Sequence, residues 1–323
     1  MRSALLFLSL AMVFASCGDT PPAQTSGQSS TDARPRVAVI PKGTTHVFWK
    51  SVEAGARAAG DELGIEVVWK GPLQENDRAQ QIQLVQQFVS DEIDGLALAP
   101  LDHAALAPVV ALARSKNIPV VIFDSNLDGQ PGVDFASFIA TDNRAAGQLA
   151  GEHLAKLMGG KGQAVMLRYV VGSASTDARE SGCAASLAAA GITLSVDNRY
   201  AGPTAGEAKT TALNMIDALR EAGGVFCSNE SATNGMLLAL EQMGLSGKLR
   251  FVGFDASPPL VNALREGKLD ALVVQDPRKM GELSVRALAK RLANEAVEPQ
   301  IDTGAVLVTR ENMDQPEIAA LLR

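Results

Sequence analysis

RVAVIPKGTTHVFWKSVEAGARAAGDELGIEVVW, running from Arg36 to Trp69, decides the fold class. Its ends, Val37–Ile40 and Ile65–Trp69, are short β-branched apolar runs without polar alternation, the pattern of strands covered on both faces. The longer segment between them reads as a helix. Strand, helix and strand in succession form the unit of a parallel sheet, because a parallel neighbour requires a crossover along the sheet face. The same rhythm continues downstream, with strands expected at Leu96–Ala99, Val120–Phe123 and Phe138–Ala140. A second series follows at Ala164–Leu167, Leu194–Val196, Val225–Cys227, Arg250–Gly253 and Ala271–Val274, and a late run, Ala305–Val308, closes the set. Between strands, Ile82, Val85, Phe88 and Val89 share one helical face of Asp77–Asp91. Ala208, Ala212, Met215, Ile216 and Leu219 do so in Gly206–Arg220. Two series of five strands predict an α/β protein of two doubly wound parallel-sheet domains joined by short crossings.

Length and charge agree with that reading. At roughly 150 residues per domain, 323 residues hold about two domains. A net charge of −7 gives no basic footprint, so nucleic acid is not an expected partner. Three cysteines without a CxxC pair argue against a zinc site, and neither a metal nor a cofactor is expected. The N-terminus supplies an address. Arg2 precedes an apolar run from Ala4 to Phe14, about half of the roughly 20 residues a spanning helix needs. Its length and flanks suit a signal peptide over residues 1–16. The ending Phe14-Ala15-Ser16-Cys17 resembles a bacterial lipobox, with Phe14 where Leu or Val is usual. Cys17 is then the lipidated residue, and the polar Gly18–Arg34 segment completes a flexible tether over 17–35. The expected location is extracytoplasmic, periplasm or cell envelope, held to a membrane by lipid alone. In that compartment a Cys183–Cys227 disulfide is permitted; Cys227 lies in an apolar run and reads as a small core residue.

Open parallel sheets bind ligands at the carboxyl ends of their strands. The polar residues that follow the apolar runs are therefore the candidates. Lys42, His46, Phe48 and Trp49 follow the first strand, and Asp124 follows Val120–Phe123. Arg179 comes after the Gly/Ser turn beyond 164–171, Asn229 after Val225–Cys227, Asp255 after Arg250–Gly253 and Gln275 after Ala271–Val274. Carboxylates accept from hydroxyls, Arg and amides donate or do both, and aromatic rings cover a C–H face, so the set suits a small polyhydroxylated ligand. Asp or Asn after a strand also serves as a turn former or helix cap. The two roles differ in outcome: truncation of a ligand contact costs binding and spares the empty protein, whereas truncation of a cap does the reverse. An enzyme finds little support. No GxGxxG opens a helix after a strand, and no GxSxG elbow, Walker A spacing or HExxH is present. His103 and His153 read as exposed helix residues.

At these positions the chain resembles the periplasmic sugar-binding proteins of the ribose-binding type, the receptors of bacterial ABC importers. The likeness spans about Arg36 to Val308 through FWKSVEAGA (Phe48–Ala56), ALAPLDHAAL (Ala97–Leu106), IPVVIFDS (Ile118–Ser125) and ATDN (Ala140–Asn143). It continues through ARESG (Ala178–Gly182), VFCSNE (Val225–Glu230), VGFDA (Val252–Ala256) and VVQDP (Val273–Pro277). The resemblance implies that Phe48 and Trp49 sandwich a sugar ring. It also implies that Asp124, Arg179, Asn229, Asp255 and Gln275 hydrogen-bond its hydroxyls. His46 stands where ribose binders place Asn, and Ser125 where they place Arg. It further implies three hinge crossings near Thr141, Gln275 and Gly304. The N-terminal domain would then comprise 36–141 plus 276–304, and the C-terminal domain 142–275 plus 305–323. A monomer that hands a monosaccharide to the transmembrane subunits of an ABC permease is expected. The alternative role is a sensor presenting a sugar-like signal to a membrane receptor.

Overall fold

The structure, a computed structural model, describes residues 34–322. The proposed signal peptide, Cys17 and nearly all of the tether lie outside them. The chain runs β1 (Arg36–Ile40), α1 (Val47–Leu63), β2 (Glu66–Trp69), α2 (Arg78–Ser90), β3 (Gly95–Leu98), α3 (Ala107–Ser115), β4 (Val120–Phe123) and β5 (Ser137–Ala140). It continues through α4 (Asn143–Leu157), β6 (Gln163–Arg168), α5 (Ala174–Ala189), β7 (Thr193–Tyr200), α6 (Ala205–Leu213), α7 (Ile216–Glu221), β8 (Gly224–Cys227) and α8 (Glu230–Gln242). The last part comprises β9 (Arg250–Phe254), α9 (Pro258–Glu266), β10 (Ala271–Gln275), α10 (Pro277–Leu292), β11 (Gln300–Asp302), β12 (Ala305–Thr309) and α11 (Pro316–Leu321).

Two six-stranded sheets result, in the orders β11-β5-β4-β3-β1-β2 and β12-β10-β9-β8-β6-β7. The first five strands of each series occupy corresponding places, so β4 and β9 are counterparts. Both faces of each sheet are covered, which is why β3, β4, β5, β8 and β10 are buried at every residue. The chain passes between the sheets three times, at 141–142, 276 and 303–304. At these crossings Thr141 Oγ1 donates to Gly304 O at 2.9 Å, and Asp142 N donates to Asp302 Oδ1 at 3.0 Å.

Three details depart from the sequence reading. β11 is an additional strand, too short and polar to register as an apolar run, that pairs with β5 at the sheet edge. β12 runs antiparallel to β10. The strands of both sheets end toward the space between the lobes, so a chain leaving β11 enters the second sheet from its carboxyl edge and must run backwards. The helix expected over Gly206–Arg220 is broken at Asn214–Met215 into α6 and α7. The break keeps Ala208 and Ala212 in the same core as Met215 and Leu219.

Candidate functional site

β4 ends at Phe123 and β9 at Phe254, and an aspartate follows each, Asp124 and Asp255, at counterpart positions. Both aspartates adopt left-handed backbone conformations, with φ of 61° and 66°. Each amide donates to the adjacent strand, Asp124 N to Ile139 O at 3.1 Å and Asp255 N to Val273 O at 2.8 Å. A non-glycine residue at positive φ costs energy and persists where its surroundings fix it, a pattern common at functional sites. The preceding phenylalanines are fully buried beneath them. Phe123 packs edge-on against Trp49 with centroids 6.3 Å apart, and the Arg179 guanidinium lies 4.4 Å above the Phe254 ring.

All nine side chains named from the sequence line one cavity at the carboxyl edges of the sheets. Lys42, His46, Phe48, Trp49 and Asp124 come from the first lobe; Arg179, Asn229, Asp255 and Gln275 come from the second. The cleft between them is nearly closed: its free volume is about 30 Å³, room for one or two waters, so a ligand enters only when the lobes part. A wider depression of about 660 Å³ lies at the opposite edge of the first sheet, around Val120 and Ala136, away from the ligand-presenting ends.

Inside the cleft, each charged group finds hydrogen-bond partners, which offsets part of the cost of burial. Lys42 Nζ lies 3.0 Å from Asp124 Oδ2 and reaches across to Ser175 Oγ at 3.0 Å and Ser173 Oγ at 3.4 Å. Arg179 donates to Asn143 Oδ1 at 2.8 Å and to Ser228 O at 3.1 Å. Gln275 Nε2 donates to Asp255 Oδ1 at 2.7 Å, and Glu230 N donates to Asp255 Oδ2 at 3.0 Å. Asn229 is also the N-cap of α8, accepting from Ala232 N at 3.2 Å. Two atoms in this wall have no partner among the described residues: Arg179 Nη2 and Gln275 Oε1, on residues each only 2 % exposed.

Five lining residues escaped the sequence reading as site residues: Glu75, Tyr169, Ser175, Thr176 and Glu230. Tyr169 and Glu230 obey the strand-end rule. The apolar Val170-Val171 beyond Tyr169 concealed where β6 stops. Ser175 and Thr176 open α5, one turn before Arg179. Glu75 lies in the loop after β2 with no local signal. It accepts from Trp49 Nε1 at 2.7 Å and Tyr169 OH at 2.8 Å, and its Oε1 lies 3.0 Å from His46 Nδ1. Burial pushes the Glu75 carboxyl up, but the His46 contact, the Lys42 charge and the Trp49 bond outweigh it and hold it below the usual range. His46 is raised in turn by its bond to Glu75, against burial. Burial raises Asp255, opposed by the Arg179 charge, and raises Glu230, opposed by the His46 charge.

The aromatic pair does not form the expected sandwich. Phe48 and Trp49 meet edge to face at 86° with centroids 4.9 Å apart, leaving no gap for a ring between them. Consecutive helical residues point about 100° apart, so they line adjacent walls. Ser125 is fully buried and accepts from Ser175 N at 3.1 Å across the cleft. His103 sits in a turn, 2.6 Å from Asp128, and His153 is a half-buried residue of α4; neither is an exposed helix residue. Cys183 and Cys227 are buried and form no disulfide among the described residues.

The model of the periplasmic binding protein domain matches residues 37–296. The D-ribose/D-allose-binding protein of Pseudomonas aeruginosa is 27% identical over 320 residues, covering 95% of this chain and 99% of that protein. A crystal structure of an ABC transporter solute-binding protein from Agrobacterium vitis with bound D-fucose superimposes with a TM-score of 0.85 at 36% identity, covering 89% of this chain and all of the other. A carbohydrate transporter solute-binding protein from Agrobacterium radiobacter, in complex with D-arabinose, gives 0.86 at 32% identity over 91% of this chain and all of the other.

Proposed function

We propose that this chain, which belongs to the periplasmic binding protein family, captures a small sugar between its lobes and delivers it to an ABC importer. Arg179 Nη2 and Gln275 Oε1 carry this reading. One is a donor and the other an acceptor, both buried in the same wall. A sugar hydroxyl accepts from the first and donates to the second, relieving the cost of two unpaired buried groups. Asp124, Asn229 and Asp255 add further polar contacts, and Phe48 and Trp49 present apolar surface to C–H groups. The sugars named for the relatives, D-ribose, D-allose, D-fucose and D-arabinose, define the first panel to try.

The protein works outside the cytoplasm, as a binding protein and not as an enzyme. Cys17 carries the lipid that tethers a monomer to the membrane, so Cys17→Ser should move the protein into the soluble envelope fraction. The capture reading is tested by thermal shift of the purified protein against that panel. A true ligand at 100 times its Kd adds about 2.7 kcal/mol of stability. A panel that leaves the melting temperature unchanged, in a protein that melts cooperatively, overturns the reading.

A further inference from the structure

Glu75 spends most of its acceptor capacity on protein donors. Of roughly four lone-pair sites on a carboxylate, three are taken, by Trp49, His46 and Tyr169. The first two donors belong to its own lobe, on and beside α1. The third, the Tyr169 hydroxyl, belongs to the other lobe, where the chain leaves β6. Tyr169 is only 1 % exposed and Glu75 only 8 %, so the bond spans the cleft in a dry environment. Separating the lobes breaks this bond while leaving the Trp49 and His46 contacts intact.

We propose that Glu75 and Tyr169 are a positioning pair, a cross-cleft latch that holds the closed arrangement and sets how long a captured sugar stays, without reading the identity of that sugar. The proposal rests on the sugar-capture reading of this cleft. Recognition and retention are then divided along the cleft wall. The end with unpaired polar atoms, Arg179 and Gln275, distinguishes hydroxyl patterns. The end around Glu75 is satisfied by the protein and acts on every ligand alike. Because Glu75 also holds the indole of Trp49, the latch joins lobe closure to the placement of an aromatic wall.

The decisive variant is Tyr169→Phe, which keeps the buried ring and removes only the hydroxyl. Stopped-flow release of D-ribose, D-allose, D-arabinose and D-fucose from the full chain should accelerate at least about tenfold. That is the lower bound for losing a hydrogen bond to a charged group. The factor should be the same for each sugar that binds, with association rates little changed. Glu75→Gln retains an acceptor for the tyrosine and should lie between the unmodified protein and Glu75→Ala. A merely structural role would lower the melting temperature of Tyr169→Phe without changing the release rate, and that result overturns the latch. So does an acceleration that differs from sugar to sugar, since it would mean that the pair reads the ligand. If no sugar binds the unmodified protein, the capture reading fails. The latch is then judged on the ligand-free protein by small-angle scattering: a larger radius of gyration for Tyr169→Phe supports it, and an unchanged one overturns it.

Discussion

Asp124 and Asp255 carry two duties at once. The sequence allowed either a ligand contact or a turn former after a strand, and the structure assigns features of both. Asp255 lines the cleft while holding Glu230 N and Gln275, in a backbone conformation that disfavours a Cβ. Truncating such a residue should therefore cost the empty protein stability as well as binding. Asp255→Ala and Asp255→Gly lose the same hydrogen bonds, but only Ala keeps a side chain at φ 66°. Chemical denaturation should find the Gly variant more stable than the Ala variant by about 1 kcal/mol. Equal stabilities would remove the strain argument. Asn229→Ala should likewise lower the stability of the empty protein by about 1 kcal/mol through the lost α8 cap, alongside weaker sugar binding by calorimetry. A cap loss without an affinity loss would remove Asn229 from the site.

At the scale of elements, paired glycines set where the site-bearing helices lie. A Cβ at Gly147 of α4 would stand 2.0 Å from Arg179 O, and one at Gly182 of α5 would stand 2.3 Å from Arg144 O. In the first lobe, Gly55 of α1 and Gly281 of α10 meet in the same way, at 1.9 Å from Arg278 O and 2.0 Å from Val52 O. Each contact lets a helix that carries site residues, α5 with Arg179 and α1 with Phe48 and Trp49, approach its neighbour to backbone distance. Gly147→Ala must push α5 away. It should destabilise by about 1–3 kcal/mol, in the range of overpacking, and weaken sugar binding as Arg179 moves with the helix. Gly159→Ala is the control: at φ 69° and with nothing within 4 Å of its Cβ, it strains only its own turn and should leave affinity unchanged. Equal affinities for Gly147→Ala and the unmodified protein would mean that the crossing does not position the site.

For the whole molecule, three crossings join the two sheets, and groups from both lobes line the cavity between them. Contacts made only on closure reward the closed state, and a ligand shifts the equilibrium by that difference in affinity. Saturating sugar should reduce the radius of gyration measured by small-angle scattering; a profile unchanged at saturation would show that the protein does not close. Tryptophan fluorescence gives an independent readout. Trp49 lines the cleft and donates to Glu75, whereas Trp69 lies on β2 outside the site. The sugar-induced change should survive Trp69→Phe and vanish in Trp49→Phe.

The sequence by itself determined the layer architecture, because parallel strands buried on both faces must be written as unbroken apolar runs. It also placed nine of the lining residues, because a strand end is a local event and the residues beyond it lie at the ligand edge. It could not reveal Glu75, whose partners are distant in the chain: Tyr169 in the other lobe and Trp49 twenty-six residues away. Nor could it orient Phe48 against Trp49, since the angle between neighbouring rings follows from the helix they share and the core beneath it. The antiparallel β12, the glycine contacts and the unpaired atoms of Arg179 and Gln275 were likewise decided by the tertiary structure. Direction, close approach and hydrogen-bond satisfaction are properties of surfaces brought together by folding, and no single segment encodes both surfaces.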